Sequence, residues 1–144
     1  MKYKKLNPRA KAPERINPHA AGYDLFACID QAEIFLYDAV AVIPTGIALE
    51  IPEGWHGIIR STSGSAFRHG QFVLTGTIDS DYRGEIKVIA TCAGALGRTI
   101  RHGDKIAQIV FLRHESPELV EAEWLDETDR GTDGFGRLTE RKKP

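Results

Sequence analysis

Short runs of apolar and β-branched residues, each ended within a few positions by Gly, Pro or Asp, restrict what this chain can fold into. Such runs at this spacing are typical of the short strands of an all-β barrel or sandwich. The only helical turn predicted is Ser63–His69, with Ser63 as its N-cap and Gly70 as its C-terminal stop. The predicted strands lie at 33–36, 39–43, 46–51, 57–60, 72–78, 85–91, 99–101 and 105–114.

Length and composition bound the class of protein. A chain of 144 residues fits one domain, and its net charge of −1 gives no basic surface for nucleic acid. Cys28 and Cys92 are far apart, so we expect buried or incidental thiols in a reducing, cytoplasmic compartment. Since no apolar run approaches the roughly 18–20 residues that span a bilayer, no membrane association is expected.

The segment from Gly76 to Gly84, G-T-I-D-S-D-Y-R-G, sets two carboxylates and an aromatic ring into a turn between two predicted strands. A carboxylate at a strand end can orient a water and accept its proton, which makes Asp79 a candidate general base. The alternative is that Asp79, Ser80 and Asp81 only form the turn.

Five segments in this order resemble the motifs of the trimeric dUTP diphosphatases (dUTPases): 21–25, 60–70, 76–84, 103–108 and 130–136. The resemblance implies a distorted jelly-roll-like β-barrel with one short helical turn and a homotrimer with shared active sites. It also implies Mg²⁺-dependent hydrolysis of dUTP to dUMP and pyrophosphate. Residues 1–125 would form the β domain, and residues 126–144 would form a flexible arm carrying the fifth motif.

The resemblance also gives roles to residues of the turn segment. Asp79 would activate the attacking water, and Tyr82 would pack beneath the deoxyribose and exclude a 2′-hydroxyl. The backbone of a hairpin arm from Val73 to Thr77 would read uracil, with substrate contacts assigned to Val73, Thr75, Gly76, Thr77 and Ile78. The alternatives are a core role for Tyr82 and a bulge or tight bend at Gly76.

The second motif departs from the family pattern R-S-G-L-A. Aligned without a gap, Ser63 and Gly64 match its S-G, and Thr62 occupies the arginine position. Ser63 would then donate to the phosphates, and Arg60 would reach them from another backbone position. With a two-residue insertion, Arg60 and Ser61 would be the working pair instead. If Ser63 is only an N-cap, its mutation to Ala costs a little stability and no activity.

Gln108 lies in a predicted strand and resembles the family glutamine near the phosphates and the catalytic water. A purely structural hydrogen-bonding role is the alternative. Asp24 matches the first-motif aspartate, to which we assign a supporting role.

The tail reads G-F-G-R-L-T from Gly134, where the family usually has G-F-G-S-T-G. Phe135 and Gly136 remain available to cover the base, and Arg130 and Arg137 would grip the γ-phosphate by charge-assisted bonds. The arm would close over the site of another subunit. The alternative is an unstructured end with incidental Phe and Arg.

The five histidines are scattered without metal-ligand spacing. Mg²⁺ is therefore expected to arrive on the substrate phosphates, with no metal-binding residues assigned.

Of three rival functions, deamination is disfavoured by the sequence and the other two stay open. A dCTP deaminase of related fold would need a glutamate ten residues after the turn aspartate, where this chain has Ile89. The altered phosphate segments would also fit a non-catalytic dUTP-binding regulator, or a diphosphatase of another deoxynucleoside triphosphate.

Overall fold

In this computed structural model, which describes residues 1–93 and 97–133, the regular secondary structure consists almost entirely of short antiparallel strands. The described ranges contain eleven strands and one helix. They are β1 (Lys2–Lys5), β2 (Gly22–Phe26), β3 (Ile34–Leu36), β4 (Ala41–Pro44), β5 (Ile47–Glu50), β6 (Trp55–Arg60), α1 (Ser63–His69), β7 (Gln71–Val73), β8 (Thr77–Ile78), β9 (Lys87–Cys92), β10 (Arg98–Ile100) and β11 (Lys105–Arg113).

In the described part of the chain, four sheets enclose one apolar core. The largest has the order β2-β11-β6-β8, a second has the order β4-β9-β7, and β1-β5 and β10-β3 form two-stranded ribbons. Ile59 and Ile109 of the first sheet meet Ile43 and Val88 of the second in one buried cluster. Strand alternation directs these side chains inward because successive residues face opposite sides of a sheet. The predicted all-β architecture is confirmed.

The run predicted as one strand at 72–78 is divided between two sheets. β7 pairs with β9 in the second sheet, whereas β8 pairs with β6 in the first. Residues 74–76 connect them outside any strand. The apolar pattern extends through the crossing and therefore does not reveal it.

The helix begins at Ser63 and ends before Gly70, as predicted, but the prediction that Ser63 is the N-cap is wrong. Thr62 holds that position, with extended backbone angles, and its Oγ1 accepts a hydrogen bond from the Ser65 N–H at 3.2 Å. Gly70 ends the helix in the left-handed region at a φ of 61°. The hydroxyl of Ser63 is thereby released from capping, and its side chain is exposed.

Cys28 and Cys92 are both buried and unpaired, which confirms the prediction of buried thiols. Burial is the main cause that raises the pKa of the Cys28 thiol, so this group is held in its protonated form. Within 1–93 and 97–133, no helix has the length and apolar character needed to cross a membrane.

Candidate active site

Asp79 lies directly after β8, at the start of a tight turn. The Tyr82 N–H donates to the Asp79 carbonyl at 3.3 Å, and this bond closes the turn. The Asp79 side chain is exposed and lines an open cavity together with Thr77, Ile78 and Tyr82. A carboxylate placed in this way is accessible to a water and to a ligand.

Tyr82 is held at the cavity wall by its own turn. Its hydroxyl donates to the Glu85 carbonyl at 3.0 Å, and its ring lies against Gly84. A Cβ at Gly84 would lie 2.4 Å from the Tyr82 hydroxyl oxygen, so only glycine permits this ring position. Because 43% of Tyr82 is exposed, the alternative of a core tyrosine does not hold.

The predicted base-reading arm has an open stretch of backbone at Thr75 and Gly76. Within the described ranges the N–H groups of both residues lack a hydrogen-bond acceptor, although the Gly76 carbonyl accepts from the Ile59 N–H at 3.2 Å. Exposed backbone donors of this kind are able to pair with a polar ligand edge. The arm thus keeps free groups where a base would be read.

Val73 does not belong to the accessible part of that arm. Its side chain is in the core cluster, and its N–H donates to the Ser61 Oγ at 2.8 Å. Neither the Val73 side chain nor its N–H is therefore open to a ligand, and the predicted substrate contact of this residue stays a prediction. Leu74 to Thr77 form the exposed portion.

A second cavity, which we call the basic cavity, lies at the start of α1. Ser63 and Gly64 line it, together with three cationic side chains that sequence reasoning did not assign: Arg68, Arg98 and Lys105. Arg68 follows Gly64 by one helical turn, and its Nη2 would lie 4.0 Å from a Cβ at Gly64. Several cations and a free hydroxyl in one cavity favour an anionic ligand such as a phosphate chain.

Gln108 stands in the middle of a row across the main sheet, with Asp24 on one side and Arg60 on the other. The half-buried Gln108 amide donates to the Ser61 carbonyl at 3.3 Å. Asp24, with a side chain only 16% exposed, accepts from the Lys105 Nζ at 3.1 Å. Asp24 thus fixes a lysine of the basic cavity, in line with the supporting role predicted for it.

The two cavities are separate within one chain. Ile78 pairs with Gly57 of β6, whereas Gln108 pairs with Arg60 at the other end of that strand. Since β8 is antiparallel to β6, the chain moves away from Arg60 after Ile78, and at about 3.3 Å per residue Asp79 lies on the order of 10 Å or more from it. A single chain does not bring Asp79 to the phosphate-binding candidates.

The tail residues divide between described and undescribed parts of the chain. Arg130 lies in a turn of its own, where its Nε donates to the Asp133 carbonyl at 2.8 Å. Phe135, Gly136 and Arg137 lie outside the described residues. The contact predicted between Arg130 and a phosphate stays a prediction.

Signals for the residues missed in the basic cavity were weak. Lys105 belongs to the fourth motif, and Arg68 lies in the predicted helix. The sequence does not show that both side chains project into the same cavity. Arg98 is more than thirty residues from Ser63, and only the fold brings them together.

The fold of short antiparallel strands presents a carboxylate, an aromatic ring and open backbone groups, and a basic cavity lies beside α1. This combination is typical of a nucleotide-binding protein. The dUTPase family model matches residues 8–139. A deoxyuridine 5′-triphosphate nucleotidohydrolase of Syntrophotalea carbinolica is 43% identical over 138 residues, which is 94% of each chain. The chain therefore belongs to the dUTPase family.

Solved structures agree with that assignment. A mutant dUTPase of Staphylococcus bacteriophage 80alpha, with dUpNHpp, is 26% identical with a TM-score of 0.80, over 95% of this chain and 96% of that one. A mutant dUTPase from phage phi11 of S. aureus, described with a structural Mg(II) ion, is 28% identical with a TM-score of 0.75, over 85% and 96%. The predicted jelly-roll-like dUTPase fold is confirmed.

Proposed function

We propose that this protein hydrolyses dUTP to dUMP and pyrophosphate by attack of water on the α-phosphorus, with Asp79 as the general base. The observation that carries the proposal is the turn that presents Asp79 and Tyr82 in one open cavity, next to the free backbone of Thr75 and Gly76. Nucleotidohydrolase relatives support the same substrate.

In this mechanism each part of the cavity has one task. The Asp79 carboxylate orients the water and takes its proton as the oxygen attacks phosphorus, and pyrophosphate leaves on the opposite side. The Tyr82 ring stacks beneath the deoxyribose, where it offers no room to a 2′-hydroxyl. The Thr75 and Gly76 N–H groups bind the uracil edge, and Thr77 and Ile78 complete the wall.

The triphosphate would be held by the basic cavity, where Ser63 and Gly64 lie with the cations, and by Gln108 and Arg60 beside it. Ser61 supports the ungapped reading of the second motif, because its Oγ is engaged by the Val73 N–H and Ser63 is the exposed hydroxyl. We therefore assign to the Ser63 hydroxyl the hydrogen bond to the phosphates.

Separation of the two cavities supports a homotrimer in which neighbouring subunits share each active site. Asp79 and Tyr82 of one subunit would face the basic cavity of a neighbour, which brings base and phosphates together. Closed cyclic assemblies place different surface patches of adjacent copies in contact in this way. Residues 126–144 would then form an arm that closes over the site, with Phe135 and Gly136 on the base and Arg130 and Arg137 on the γ-phosphate.

Mg²⁺ would enter bound to the triphosphate. The described ranges contain no group of three or more His, Cys, Asp or Glu residues able to hold an ion. Asp24, the carboxylate beside the basic cavity, is already paired with Lys105. When bound, Mg²⁺ neutralises charge on the phosphate oxygens, while the protein's cations grip the remaining oxygens.

Deamination is disfavoured by the same cavity. Ile89, at the position where a related deaminase carries its glutamate, lines the cavity with Asp79 and Tyr82. Its side chain has no group that could move a proton to the base. A phosphate-directed reaction fits the residues present.

A nucleotide panel tests the proposal. The purified protein is incubated with Mg²⁺ and, separately, with dUTP, dCTP, dTTP, dATP, dGTP or UTP, and the products are resolved by phosphorus NMR. We expect dUMP and pyrophosphate from dUTP alone. Turnover of a different deoxynucleotide would replace the proposed substrate, and tight dUTP binding without product would identify a regulator.

A further inference from the structure

Arg98, at the start of β10, is a half-buried arginine in the wall of the basic cavity. Its Nη1 donates to the Gln71 Oε1 and to the Ser65 Oγ, the latter at 3.3 Å, and its Nη2 donates to the Lys105 carbonyl at 3.0 Å. All three acceptors are neutral. They fix the position of the guanidinium without compensating its charge.

The charge of Arg98 has no ion-pair partner within the described ranges. Burial is the main cause that lowers the pKa of Arg98, and the charge of Asp104 opposes this only in part. A partly buried charge is costly unless an opposite charge accompanies it. The environment of Arg98 therefore favours an anion in the cavity.

Arg98 also has N–H groups that make no hydrogen bond within the described ranges. A guanidinium carries five N–H groups in a planar fork, and the three hydrogen bonds leave two of them without an acceptor in the described part of the chain. A fork of this kind matches the geometry of phosphate oxygens. The exposed Ser63 hydroxyl lines the same cavity.

Neighbouring cations are less suited to this task. Lys105 is already paired with the Asp24 carboxylate at 3.1 Å. Arg60 is exposed at the end of β6, opposite Gln108. Arg68 is exposed on α1. Arg98 is the cation of this group whose guanidinium the fold anchors by several hydrogen bonds.

We propose that Arg98 binds the triphosphate directly and supplies the charge that is missing at Thr62, where the family pattern has arginine. This inference rests on the proposed function and names a further substrate-binding residue of the same site. The Ser65 and Gln71 side chains are the positioning residues that hold Arg98 in place.

The test compares Arg98→Met with Arg101→Met, since Arg101 is an exposed arginine three residues away that pairs with Glu33 at 3.2 Å. Calorimetry measures the affinity of each variant for dUpNHpp with Mg²⁺ and for dUMP. A charge-assisted phosphate contact predicts a loss of about 10- to 100-fold in dUpNHpp affinity for Arg98→Met. The loss for dUMP should be much smaller, and Arg101→Met should match the wild type.

Two further measurements distinguish a role of Arg98 in binding from a role in folding: the salt dependence of dUpNHpp affinity, and the affinity of a variant with an arginine at position 62. Arg98→Met should flatten the dependence of dUpNHpp affinity on salt concentration, which a purely structural role would leave unchanged. The double variant Thr62→Arg with Arg98→Met should recover part of the lost affinity. If Arg98→Met does not fold, Arg98→Lys, which keeps the charge but loses the fork, should show an intermediate loss confined to dUpNHpp.

Equal losses for dUpNHpp and dUMP would overturn the inference, as would dUpNHpp affinity within about twofold of wild type in Arg98→Met, since a charge-assisted contact is worth more than that. Wild-type turnover of dUTP is measured in parallel. A wild type that does not hydrolyse dUTP contradicts the proposed function, whereas a normal wild type with an unaffected Arg98→Met contradicts only the role of Arg98.

Discussion

Gly76 and Gly84 bound the same turn segment but are glycines for different reasons. A Cβ at Gly84 would collide with the Tyr82 ring, so this glycine positions an aromatic side chain. A Cβ at Gly76 would meet nothing within 4 Å, and its φ is outside the left-handed region. Nothing in the described chain requires glycine at Gly76, and its missing side chain leaves the backbone open to close approach by a ligand.

Gly84→Ala should weaken discrimination against ribonucleotides. The new methyl group would displace the Tyr82 ring, whose nearest carbon lies 2.5 Å from the Cβ position, and open space for a 2′-hydroxyl. We expect the ratio of kcat/KM for dUTP over UTP to fall by about tenfold or more, as for the loss of a closely packed contact. Tyr82→Phe keeps the ring and is the matched control. An unchanged ratio in Gly84→Ala would separate Tyr82 from sugar selection.

Asp79→Asn should abolish turnover and spare binding. The amide cannot accept the proton of the attacking water, so we expect kcat to fall by about 10²- to 10⁴-fold. The exposed position of Asp79 predicts little change in melting temperature. Rapid-quench turnover and dUpNHpp affinity check this together. Loss of affinity equal to the loss of kcat would mean that Asp79 binds substrate and is not the base.

Sequence alone predicts the residues whose chemistry is local. Asp79 and Tyr82 belong to one short turn, and the structure places them in one cavity. Arg98 escaped notice because its neighbours Ser65 and Gln71 are brought to it only by tertiary packing. The burial of the Val73 side chain is likewise not visible in the sequence, because an apolar residue at a strand end does not show which way it faces.

The start of helix α1 determines which hydroxyl of the second motif is available to a ligand. Thr62 caps the helix through the Ser65 N–H, and Thr62 Oγ1 also donates to the Ser65 Oγ at 3.0 Å. Ser63 follows as the first helical residue, with an exposed side chain. One hydroxyl is therefore committed to stability, and the adjacent one is available to a ligand.

Thr62→Ala should consequently affect stability, and Ser63→Ala should affect substrate binding. Loss of the cap predicts a destabilisation of about 1 kcal/mol for Thr62→Ala. Ser63→Ala should leave the free energy of unfolding nearly unchanged but raise the KM for dUTP. Urea unfolding and steady-state kinetics on both variants provide the check. The reverse pattern, a stability loss in Ser63→Ala with normal kinetics, would return Ser63 to a purely structural role.

The elements themselves were predictable where apolar alternation is strong, as in β9 and β11. The strands β1 and β2 were missed for physical reasons. All four residues of β1 are exposed, and its pairing with β5 is a backbone interaction that leaves no apolar pattern. The strand β2 starts with Gly22, and a Cβ at that position would lie 2.8 Å from the Ile109 carbonyl oxygen. Neither feature resembles a strand in sequence.

Because the Asp79 cavity and the basic cavity are separate within one chain, the proposed mechanism requires assembly of the whole oligomer. If each site combines Asp79 of one subunit with Ser63 and Arg98 of another, two impaired variants should complement each other at dUTP concentrations well below the wild-type KM. Trimers reassembled from equal amounts of Asp79→Asn and Arg98→Met subunits should regain roughly a quarter of wild-type activity, since random mixing pairs two intact halves at that frequency. Mixed trimers no more active than the Arg98→Met parent under these conditions would place each site within one chain.

Removal of the arm should separate closure of the site from folding. A chain truncated before Arg130 should lose turnover far more than it loses melting temperature, because the truncation removes proposed substrate contacts and no described strand. Thermal unfolding and dUTP turnover of the truncated protein test this. Equal activity with and without the arm would remove it from the mechanism.

The proposed mechanism depends on water attack at the α-phosphorus, and hydrolysis of dUTP in ¹⁸O-labelled water distinguishes this from attack at the β-phosphorus. Mass spectrometry of the products reports which of them carries the label. Attack at the α-phosphorus predicts ¹⁸O in dUMP and none in pyrophosphate, with both products absent for Asp79→Asn. Label in pyrophosphate would show attack on the β-phosphorus and contradict the assignment of Asp79 as the base for the α-phosphorus.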